Sequence, residues 1–292
     1  MKRILFFALT LSFSCWNISA QQNDVKITID TLSQDVYMLT GQGGNIGIYV
    51  GKEHVYMIDD QFERLSPLIK TAIGTLTKKP IRYLFNTHMH GDHSGGNRSF
   101  NTAETTLIAH ENVRKTLKNK LKDKPELGIE ILPELTFSED MTLYEDDETI
   151  MAFHVHNAHT DGDAMIYFVN NNVLHMGDTY FSGRYPFIDL KSGGSVTGYI
   201  AAHEKALLVI NEDTKIIPGH GRPSNKAELK KYVAMLKDIK KNVTKAIKEG
   251  KSLEAVTKDG SLTAKYDTTH GGGYIDPEKN RITFYESLKG AE

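Results

Sequence analysis

The sequence predicts an α/β fold in which helices cover the faces of β-sheets. From Val25 to Ile58, short alternating or β-branched runs are separated by Gly, Asn and Asp, which is typical of paired strands. From Ser66 onward, apolar runs of strand length alternate with segments of helical periodicity, so each sheet should have a covered face. No linker, repeat or low-complexity stretch divides residues 21–292, and we expect them to form one domain.

Residues 1–20 have the composition of a secretory signal peptide. The basic pair Lys2 and Arg3 precedes a short apolar run, and the segment ends in the small residue Ala20. The run is too short to span a bilayer. We therefore expect an exported mature protein, periplasmic or secreted, that comprises residues 21–292.

The composition points to a globular protein without nucleic-acid or membrane partners. The chain is 39% hydrophobic and 25% charged, which are ordinary values. Removal of the signal segment changes the formal net charge from −2 to −4, which does not predict binding to nucleic acid or a membrane. It also removes the single cysteine, Cys15, and with it any disulfide or thiolate ligand. A small-molecule substrate is the expected partner.

Paired strands and a helix are predicted before the centre of the chain. The strands are predicted at residues 25–29, 36–40, 45–50 and 54–58. Ser66 and Pro67 predict the N-cap and first position of a helix. Apolar residues then recur at spacings of four and three, which defines the inward face of that helix: Leu65, Ile69, Ile73 and Leu76.

Three imidazoles and one carboxylate lie within six consecutive residues, 88–93. They are His88, His90, Asp92 and His93, and they follow the strand-like run Ile81–Asn86. Residues at i and i+2 of an extended segment project to one side, so His88 and His90 can bind one ion together. Asp92 and His93 can face a second position. Imidazole and carboxylate are usual ligands of zinc and also suit iron and manganese, so the pattern predicts a metal site.

The remaining elements are predicted by the same periodicities. Asn170, Asn171 and Asn172 are suited to a tight hairpin turn, Ser195 to a helix N-cap and Gly250 to a helix stop, and Asp276 with Pro277 opens a terminal helix. The predicted strands are 105–109, 141–143, 149–154, 164–169, 173–176 and 215–217, and the predicted helices are 111–121, 196–211 and 226–249.

The motif His-x-His-x-Asp-His resembles the signature of the metallo-β-lactamase superfamily of hydrolases. The resemblance extends over nearly all of residues 21–292 and implies a four-layered αβ/βα sandwich with metals at the edge between the sheets. Further ligands are implied in family order at His159, Asp178 and His220. Asp59 matches an acid that supports the metal loop in that family.

The resemblance also implies two zinc ions per chain. His88, His90 and His159 would form one site, Asp92, His93 and His220 the other, and Asp178 would bridge them. Two cations that share a water lower its pKa, and one of them polarises the scissile carbonyl. Asp92 would take or orient the proton, and hydrolysis is the implied reaction class.

Other histidines are weaker candidates for ligands. His110, at the end of a predicted strand, is interpreted as structural or exposed, and His270, beside three glycines, as a flexible-loop histidine. His154 and His156 compete with His159 as the third ligand. His154 falls inside a predicted strand, and only His159 has the His-Thr-Asp-Gly context, so we prefer His159.

The bridging residue separates the possible substrates. In the zinc β-lactamases a cysteine matches Asp178, whereas an aspartate resembles glyoxalase II thioesterases and N-acyl homoserine lactone lactonases. Expected export disfavours glyoxalase II, which acts on a cytosolic glutathione thioester. An N-acyl homoserine lactone lactonase of the quorum-quenching type is therefore the leading interpretation. A β-lactamase is the alternative, and an exported metal-binding protein is the alternative that is not an enzyme.

Two residues after Asp178 are predicted to contact the substrate. The lactonases carry a substrate-contacting tyrosine three residues after the bridging acid, and here Tyr180 follows after two. Its phenol could donate to a developing oxyanion, while Arg184 could pair with a carboxylate. The family also has a variable insertion near residues 125–135 that overhangs the site, so this segment is expected to be a substrate lid.

Overall fold

Two β-sheets face each other in the computed structural model, which describes residues 25–145 and 147–290. The predicted signal segment, residues 1–20, lies outside the described residues. Helices cover the outer face of each sheet, so the predicted four-layered αβ/βα sandwich is confirmed. This is an α/β fold, as the alternation of strands and helices predicts.

The first sheet contains seven strands in sequential order, β1 to β7. They are β1 Thr28–Thr31, β2 Val36–Thr40, β3 Ile46–Val50, β4 Val55–Ile58, β5 Ile81–Asn86, β6 Thr106–His110 and β7 Leu135–Phe137. β1 to β4 pair antiparallel, and β4 to β7 pair parallel. The parallel half places the ends of β4, β5 and β6 at one edge, where the histidine motif leaves β5.

The second sheet contains six strands in the order β13-β12-β11-β10-β9-β8. They are β8 Asp140–Glu145, β9 Glu148–His154, β10 Ala164–Phe168, β11 Val173–Phe181, β12 Lys215–His220 and β13 Ser224–Asn225. The β11–β12 pair is parallel, and the other pairs are antiparallel. The predicted hairpin at Asn170–Asn172 is confirmed between β10 and β11, with Asn172 at a φ of 56°.

Nine α-helices connect and cover the sheets within residues 25–145 and 147–290. They are α1 Ser66–Leu76, α2 Gly91–Ser94, α3 Asn97–Phe100, α4 Glu111–Asp123, α5 Val196–Val209, α6 Lys226–Lys248, α7 Leu253–Lys258, α8 Ala264–His270 and α9 Pro277–Lys289. The predicted caps are confirmed at Ser195, which accepts from Gly198 N, and at Asp276, which accepts from Lys279 N. None of the helices in the described part is long and apolar enough to cross a membrane.

Apolar side chains fill three layers. Between the sheets, strands of both contribute to one cluster in which Tyr49 packs against Phe168 with ring centroids 5.4 Å apart. Outside the first sheet, α1 contributes Ile69 and Ile73 to a second cluster. Outside the second sheet, α5, α6 and α9 form the largest cluster, including Leu236. The two sheets are therefore buried on both faces, which agrees with their nearly continuous apolar sequences.

The start of α1 differs from the prediction. Ser66 was expected as the N-cap, but the helix already includes it, and Leu65 occupies the cap position. A 3₁₀ turn at Glu63–Leu65 runs directly into α1, so the backbone of Ser66 is helical with a φ of −52°. Its hydroxyl is buried without a hydrogen bond, and the cap prediction is wrong.

β11 is longer than predicted. The sequence suggested an end at Met176 with Asp178 beyond it, whereas the strand continues to Phe181. The reason is β12, which runs alongside and pairs Phe181 with His220. Gly177 has a φ of 52° and interrupts the regular register on both sides, so Asp178 lies at an irregularity within the strand.

Residues 125–135 do not form a lid. They contain two 3₁₀ turns, Pro125–Leu127 and Ile129–Ile131, and pack beside α4, where Ile131 and Leu132 join an apolar cluster with Met89 of the metal loop. The prediction of a lid is therefore wrong. The segment packs beside the metal loop, because Ile131 and Leu132 belong to the cluster that Met89 contacts.

Asn45 joins the two sheets beside the histidine motif. Its side chain is buried, and Nδ2 donates to the carbonyl oxygens of Pro218 and Gly221, at 2.9 Å each. Its backbone N–H donates to Gly219 O at 2.7 Å. The end of β12, which carries His220, and the residue after it are therefore fixed to the residue that precedes β3.

We predict that Asn45→Ala lowers the free energy of unfolding by about 2 kcal/mol, because the buried carbonyl of Pro218 and the partly buried carbonyl of Gly221 lose their donor. Denaturant unfolding followed by circular dichroism measures the change. Asn119→Ala is the matched control, since Asn119 is exposed on α4 and its side-chain oxygen accepts from Lys122 at the surface. Equal stability of the two variants would show that the link between the sheets contributes nothing.

Candidate metal centre

The histidine motif is held by a buried acid at the end of β4. Asp59 accepts hydrogen bonds from the N–H and the hydroxyl of Thr87, each at 2.7 Å, and from Nδ1 of His93 at 2.7 Å. Asp59 therefore fixes both ends of the loop between β5 and α2. The bond to Nδ1 also turns Nε2 of His93 toward the other predicted ligands.

The structure brings four predicted ligands together as a first group. One ligand atom each of His88, His90, His159 and Asp178 lies within 4.8 Å of the others. His88 and His90 come from the loop after β5, whereas His159 lies between β9 and β10 and Asp178 on β11. The two halves of the sandwich therefore both contribute to this group.

Hydrogen bonds set the orientation of two imidazoles in the first group. Nε2 of His90 bonds to Asp189 Oδ2 at 3.1 Å, and Nδ1 of His159 bonds to the carbonyl oxygen of Phe187 at 2.7 Å. The opposite nitrogens, His90 Nδ1 and His159 Nε2, then face each other at 2.9 Å. Two imidazole lone pairs so close require a proton or a cation between them.

The other three predicted ligands form a second group. The ligand atoms of Asp92, His93 and His220 also lie within 4.8 Å of one another. His220 Nε2 is 3.2 Å from Asp92 Oδ2 and 3.4 Å from His93 Nε2. His220 ends β12, so the parallel pairing of β11 and β12 places it beside Asp178.

Asp178 lies between the two groups. Its Oδ2 is 3.8 Å from His88 Nε2 and 3.6 Å from His159 Nε2, while its Oδ1 is 2.9 Å from His93 Nε2 and 3.4 Å from His220 Nε2. One oxygen thus faces each group. Gly219 permits this approach, because a Cβ there would lie 2.0 Å from Oδ1 of Asp178.

The buried donor atoms fit divalent cations. His88 Nε2 and Asp178 Oδ1 are buried without a hydrogen bond, although Oδ1 is close to an imidazole. Unpartnered polar atoms in the interior are costly, and a bound cation would satisfy them. Neutral imidazole and carboxylate are ligands of zinc, iron and manganese. The cluster can therefore bind metal.

Protonation differs between the two groups. Burial lowers the pKa of His159 to about 4 and that of His88 well below its usual value, so both imidazoles are neutral near pH 7. Burial also disfavours the charged form of His220, but Asp178 and Asp92 outweigh it and raise its pKa to about 9. Metal binding at His220 must therefore displace a proton, and affinity should increase with pH.

Asp163 positions the turn that carries His159. Its carboxylate accepts from the backbone N–H groups of His159, at 2.6 Å, and Thr160, at 2.8 Å, and from the Thr160 hydroxyl. Burial raises the pKa of Asp163 to about 7 despite these bonds. Sequence analysis missed this role, although an acid four residues after a histidine in a Thr-Asp-Gly turn could have suggested it.

Asp189 was also missed as a positioning residue. It contacts His90 and accepts from the N–H groups of Lys191 and Ser192 and from the Ser192 hydroxyl, so its own position is fixed. Asp189 and His90 are 99 residues apart. No local pattern in the sequence indicates that contact.

A cavity of about 460 Å³ opens onto both groups. Its polar floor consists of predicted ligands, and its walls are largely aromatic. The lining residues are Phe62, His90, Gly91, Asp92, Asp178, Phe181, Arg184, Tyr185, Phe187, His220, Tyr274 and Ile275. Arg184 is exposed at the rim, and no ion pair with a carboxylate is seen for its guanidinium within the described residues; its predicted contact with the substrate stays a prediction.

Tyr180 does not line this cavity, which corrects its predicted catalytic and substrate-binding role. The side chain is 2% exposed and packs against Tyr232, and its hydroxyl bonds to Ser224 at 2.8 Å. A regular strand would place residues 178 and 180 on one face, but the register with β12 shifts between Gly177 and Phe181 and changes the alternation. Phe181 faces the cavity instead.

The other histidines lie outside the two groups. His110 is buried, caps α4 and stacks on His154 with ring centroids 3.8 Å apart, so its interpretation as structural is confirmed. His156 lies at the surface near Glu139. His270 was predicted in a flexible loop, but it ends α8, and its carbonyl oxygen accepts from Tyr185 N. That prediction is wrong because the helix extends up to the glycines.

We predict that Asp178→Asn weakens zinc binding by about a hundredfold, because the amide has no negative charge to share between the two groups. Equilibrium dialysis with elemental analysis measures the affinity. Asp213→Asn, an exposed acid before β12, is the control. Unchanged zinc affinity in Asp178→Asn would show that the carboxylate is not a ligand.

Comparison with known proteins agrees with this geometry. The profile of the Metallo-beta-lactamase superfamily matches residues 39–220, a range that contains all the residues of both groups and more than half of the chain. The chain is 28% identical over 176 residues to a hydroxyacylglutathione hydrolase from Pelagibacter ubique. That alignment covers 56% of this chain and 65% of the relative's length.

Solved structures share the fold at low sequence identity. A metallo-β-lactamase from Pontibacter korlensis has a TM-score of 0.63 at 16% identity. The match covers 73% of this chain and 100% of the P. korlensis chain. The sec-alkylsulfatase Pisa1 from Pseudomonas sp. has a TM-score of 0.73 at 14% identity. The match covers 89% of this chain and 50% of the Pisa1 chain. The matched profile, with the histidine and aspartate cluster inside it, shows that the chain belongs to the metallo-β-lactamase superfamily.

Proposed function

We propose that the protein is a dinuclear zinc hydrolase that opens the cyclic ester of an N-acyl homoserine lactone. The observation that carries a two-metal hydrolase is the position of Asp178, with one carboxylate oxygen toward each ligand group at the floor of an open cavity. We further propose that the mature chain acts in the periplasm or outside the cell, because residues 1–20 resemble a signal peptide.

The residues of the site would have separate roles in hydrolysis. The two groups would hold the cations, which supply a water of lowered pKa and an electrophile for the carbonyl. Asp92 lines the cavity beside His220, where its carboxylate can accept the proton that the attacking water loses. Asp59, Asp163 and Asp189 keep the imidazoles oriented. No side-chain nucleophile is required.

Two features support a lactone as substrate. Asp178 occupies the position at which the zinc β-lactamases have cysteine, and the lactonases share an acid there. The aromatic walls beside the metal groups suit the acyl chain of such a lactone. The glyoxalase II interpretation has support from the hydroxyacylglutathione hydrolase relative, but expected export separates this chain from a cytosolic thioester.

A β-lactam is the second candidate, and Arg184 is the observation that favours it. The guanidinium lies at the cavity rim with no carboxylate partner in the described parts of the chain. A β-lactam drug carries a carboxylate that an arginine can bind through two hydrogen bonds. A homoserine lactone carries none.

We predict that the purified mature protein contains about two zinc ions per chain, since each ligand group offers a complete set of donors around the shared Asp178. Elemental analysis of protein at full activity measures the ratio. A ratio of one at full activity would contradict a dinuclear mechanism, and metal without turnover of any substrate would favour a metal-binding protein.

Hydrolysis of a substrate panel tests the proposed function. We expect the protein to open N-acyl homoserine lactones, to lose this activity with a chelator and to regain it with zinc. The panel also contains nitrocefin as a β-lactam, S-lactoylglutathione as a thioester and a secondary alkyl sulfate. Faster turnover of any of these three than of every lactone would overturn the lactonase proposal.

We predict that Arg184→Ala leaves lactone opening within about twofold of the parent rate but reduces any β-lactam turnover by at least about tenfold. The reason is that only the β-lactam offers a carboxylate to the guanidinium. Steady-state kinetics with both substrates measures the two effects, and Arg222→Ala, an exposed arginine paired with Glu228, is the control. Equal losses with both substrates would contradict an anchor for carboxylates.

A further inference from the structure

We propose that Tyr274 determines specificity by holding an apolar acyl chain of the substrate against Phe187. This inference rests on the proposed function in so far as the acyl compound is also hydrolysed at the site. Tyr274 lies on the loop between α8 and α9, beyond the residues matched by the family profile. The ligand set and the specificity residue therefore belong to different parts of the chain.

The ring of Tyr274 continues the aromatic wall of the cavity away from the metal groups. Its centroid is 5.9 Å from that of Phe187, at an interplanar angle of 87°. Phe187 in turn stacks on His90, with centroids 5.9 Å apart. An apolar chain that starts at the metal groups can therefore follow Phe187 as far as Tyr274, in contact with aromatic carbon throughout.

The loop that presents Tyr274 is anchored on both sides. Before it, the carbonyl oxygen of His270 accepts from Tyr185 N at 2.9 Å, and Asp267 accepts from the Tyr185 hydroxyl at 2.7 Å. After it, Ile275 is buried in the cluster that includes α6. The loop is therefore part of the cavity rim.

Gly273 brings this loop against Arg184. A Cβ at Gly273 would lie 3.2 Å from Arg184 Cδ, so the glycine lets the backbone pass close to the aliphatic part of the arginine. Lys279 supports the loop from the other side, donating to Tyr274 O at 3.2 Å, with Nζ 5.0 Å from the ring centroid. These contacts leave the side of the ring toward Phe187 facing the cavity.

The large exposed surface of Tyr274 is the feature that indicates a bound ligand. The side chain is 76% exposed, whereas Phe181 and Ile275, which line the same cavity, are buried. An acyl chain in this position would cover apolar surface of Tyr274 and Phe187 together. Each methylene removed from water contributes to binding, so affinity should increase with chain length.

The experiment compares zinc-loaded parent protein with Tyr274→Ala, Tyr274→Phe and the control Tyr144→Ala. Tyr144 is 81% exposed on β8, and it does not line the cavity. Kinetics are measured with p-nitrophenyl acetate and p-nitrophenyl decanoate. For Tyr274→Ala we expect kcat/KM for decanoate to decrease about tenfold, mainly through KM, while kcat/KM for acetate changes less than about twofold.

Tyr274→Phe should behave like the parent, because the aromatic surface is retained, and so should Tyr144→Ala. A decrease for decanoate no larger than for acetate would overturn the proposal. So would an equal effect of Tyr144→Ala.

A binding measurement separates this inference from the proposed function. Isothermal titration calorimetry with butyrate and decanoate needs no turnover, so it applies even if no ester or lactone is hydrolysed. We expect decanoate to bind the parent more tightly than butyrate. The ratio of the two dissociation constants should decrease about fivefold in Tyr274→Ala. If decanoate binds the parent no more tightly than butyrate, the role proposed for Tyr274 is wrong. It is also wrong if the difference in affinity is the same in Tyr274→Ala as in the parent.

Discussion

The carboxylate of Asp178 is the feature on which the arrangement of the site depends. It is buried among imidazoles, and burial alone would raise its pKa, but His93 and His220 outweigh burial and hold that pKa well below the usual range. A charged carboxylate in the interior must have charged or hydrogen-bonding neighbours. Both ligand groups therefore converge on Asp178, and the loops that carry them must be fixed by the rest of the fold.

Three acids provide that fixation without lying in either ligand group: Asp59 and Asp163 are buried, and Asp189 is half-buried. Asp59 connects the start of the motif to His93, Asp163 closes the turn at His159, and Asp189 contacts His90. Each accepts hydrogen bonds from groups whose orientation matters for a metal site. Asn45 has the corresponding structural role between the sheets, because it connects β3 to the loop of His220.

The position of the cavity follows from the same architecture. Its floor lies where strands of both sheets end, while its walls come from the segment after β11 and from the loop between α8 and α9. The superfamily profile includes the floor and the first wall but not Tyr274. The metal ligands therefore lie within the part of the chain that the family shares, whereas Tyr274 lies beyond it.

The sequence alone determined the α/β class, most of the strands and helices and the ligands His88, His90, Asp92 and His93, because these depend on local periodicity and on a compact motif. The ligands His159, Asp178 and His220 followed from the resemblance to the family. His88 and His90 could be paired from the period of an extended segment. Contacts between residues far apart in the sequence could not be predicted. Asp189, for example, contacts His90, which lies 99 positions earlier in the chain. The register shift between Gly177 and Phe181 also placed Tyr180 in the core and Phe181 in the cavity, because a local change of register inverts the faces of a strand. The wall formed by Tyr274 was decided only by the packing of α8 and α9 against the rim, where Ile275 is buried.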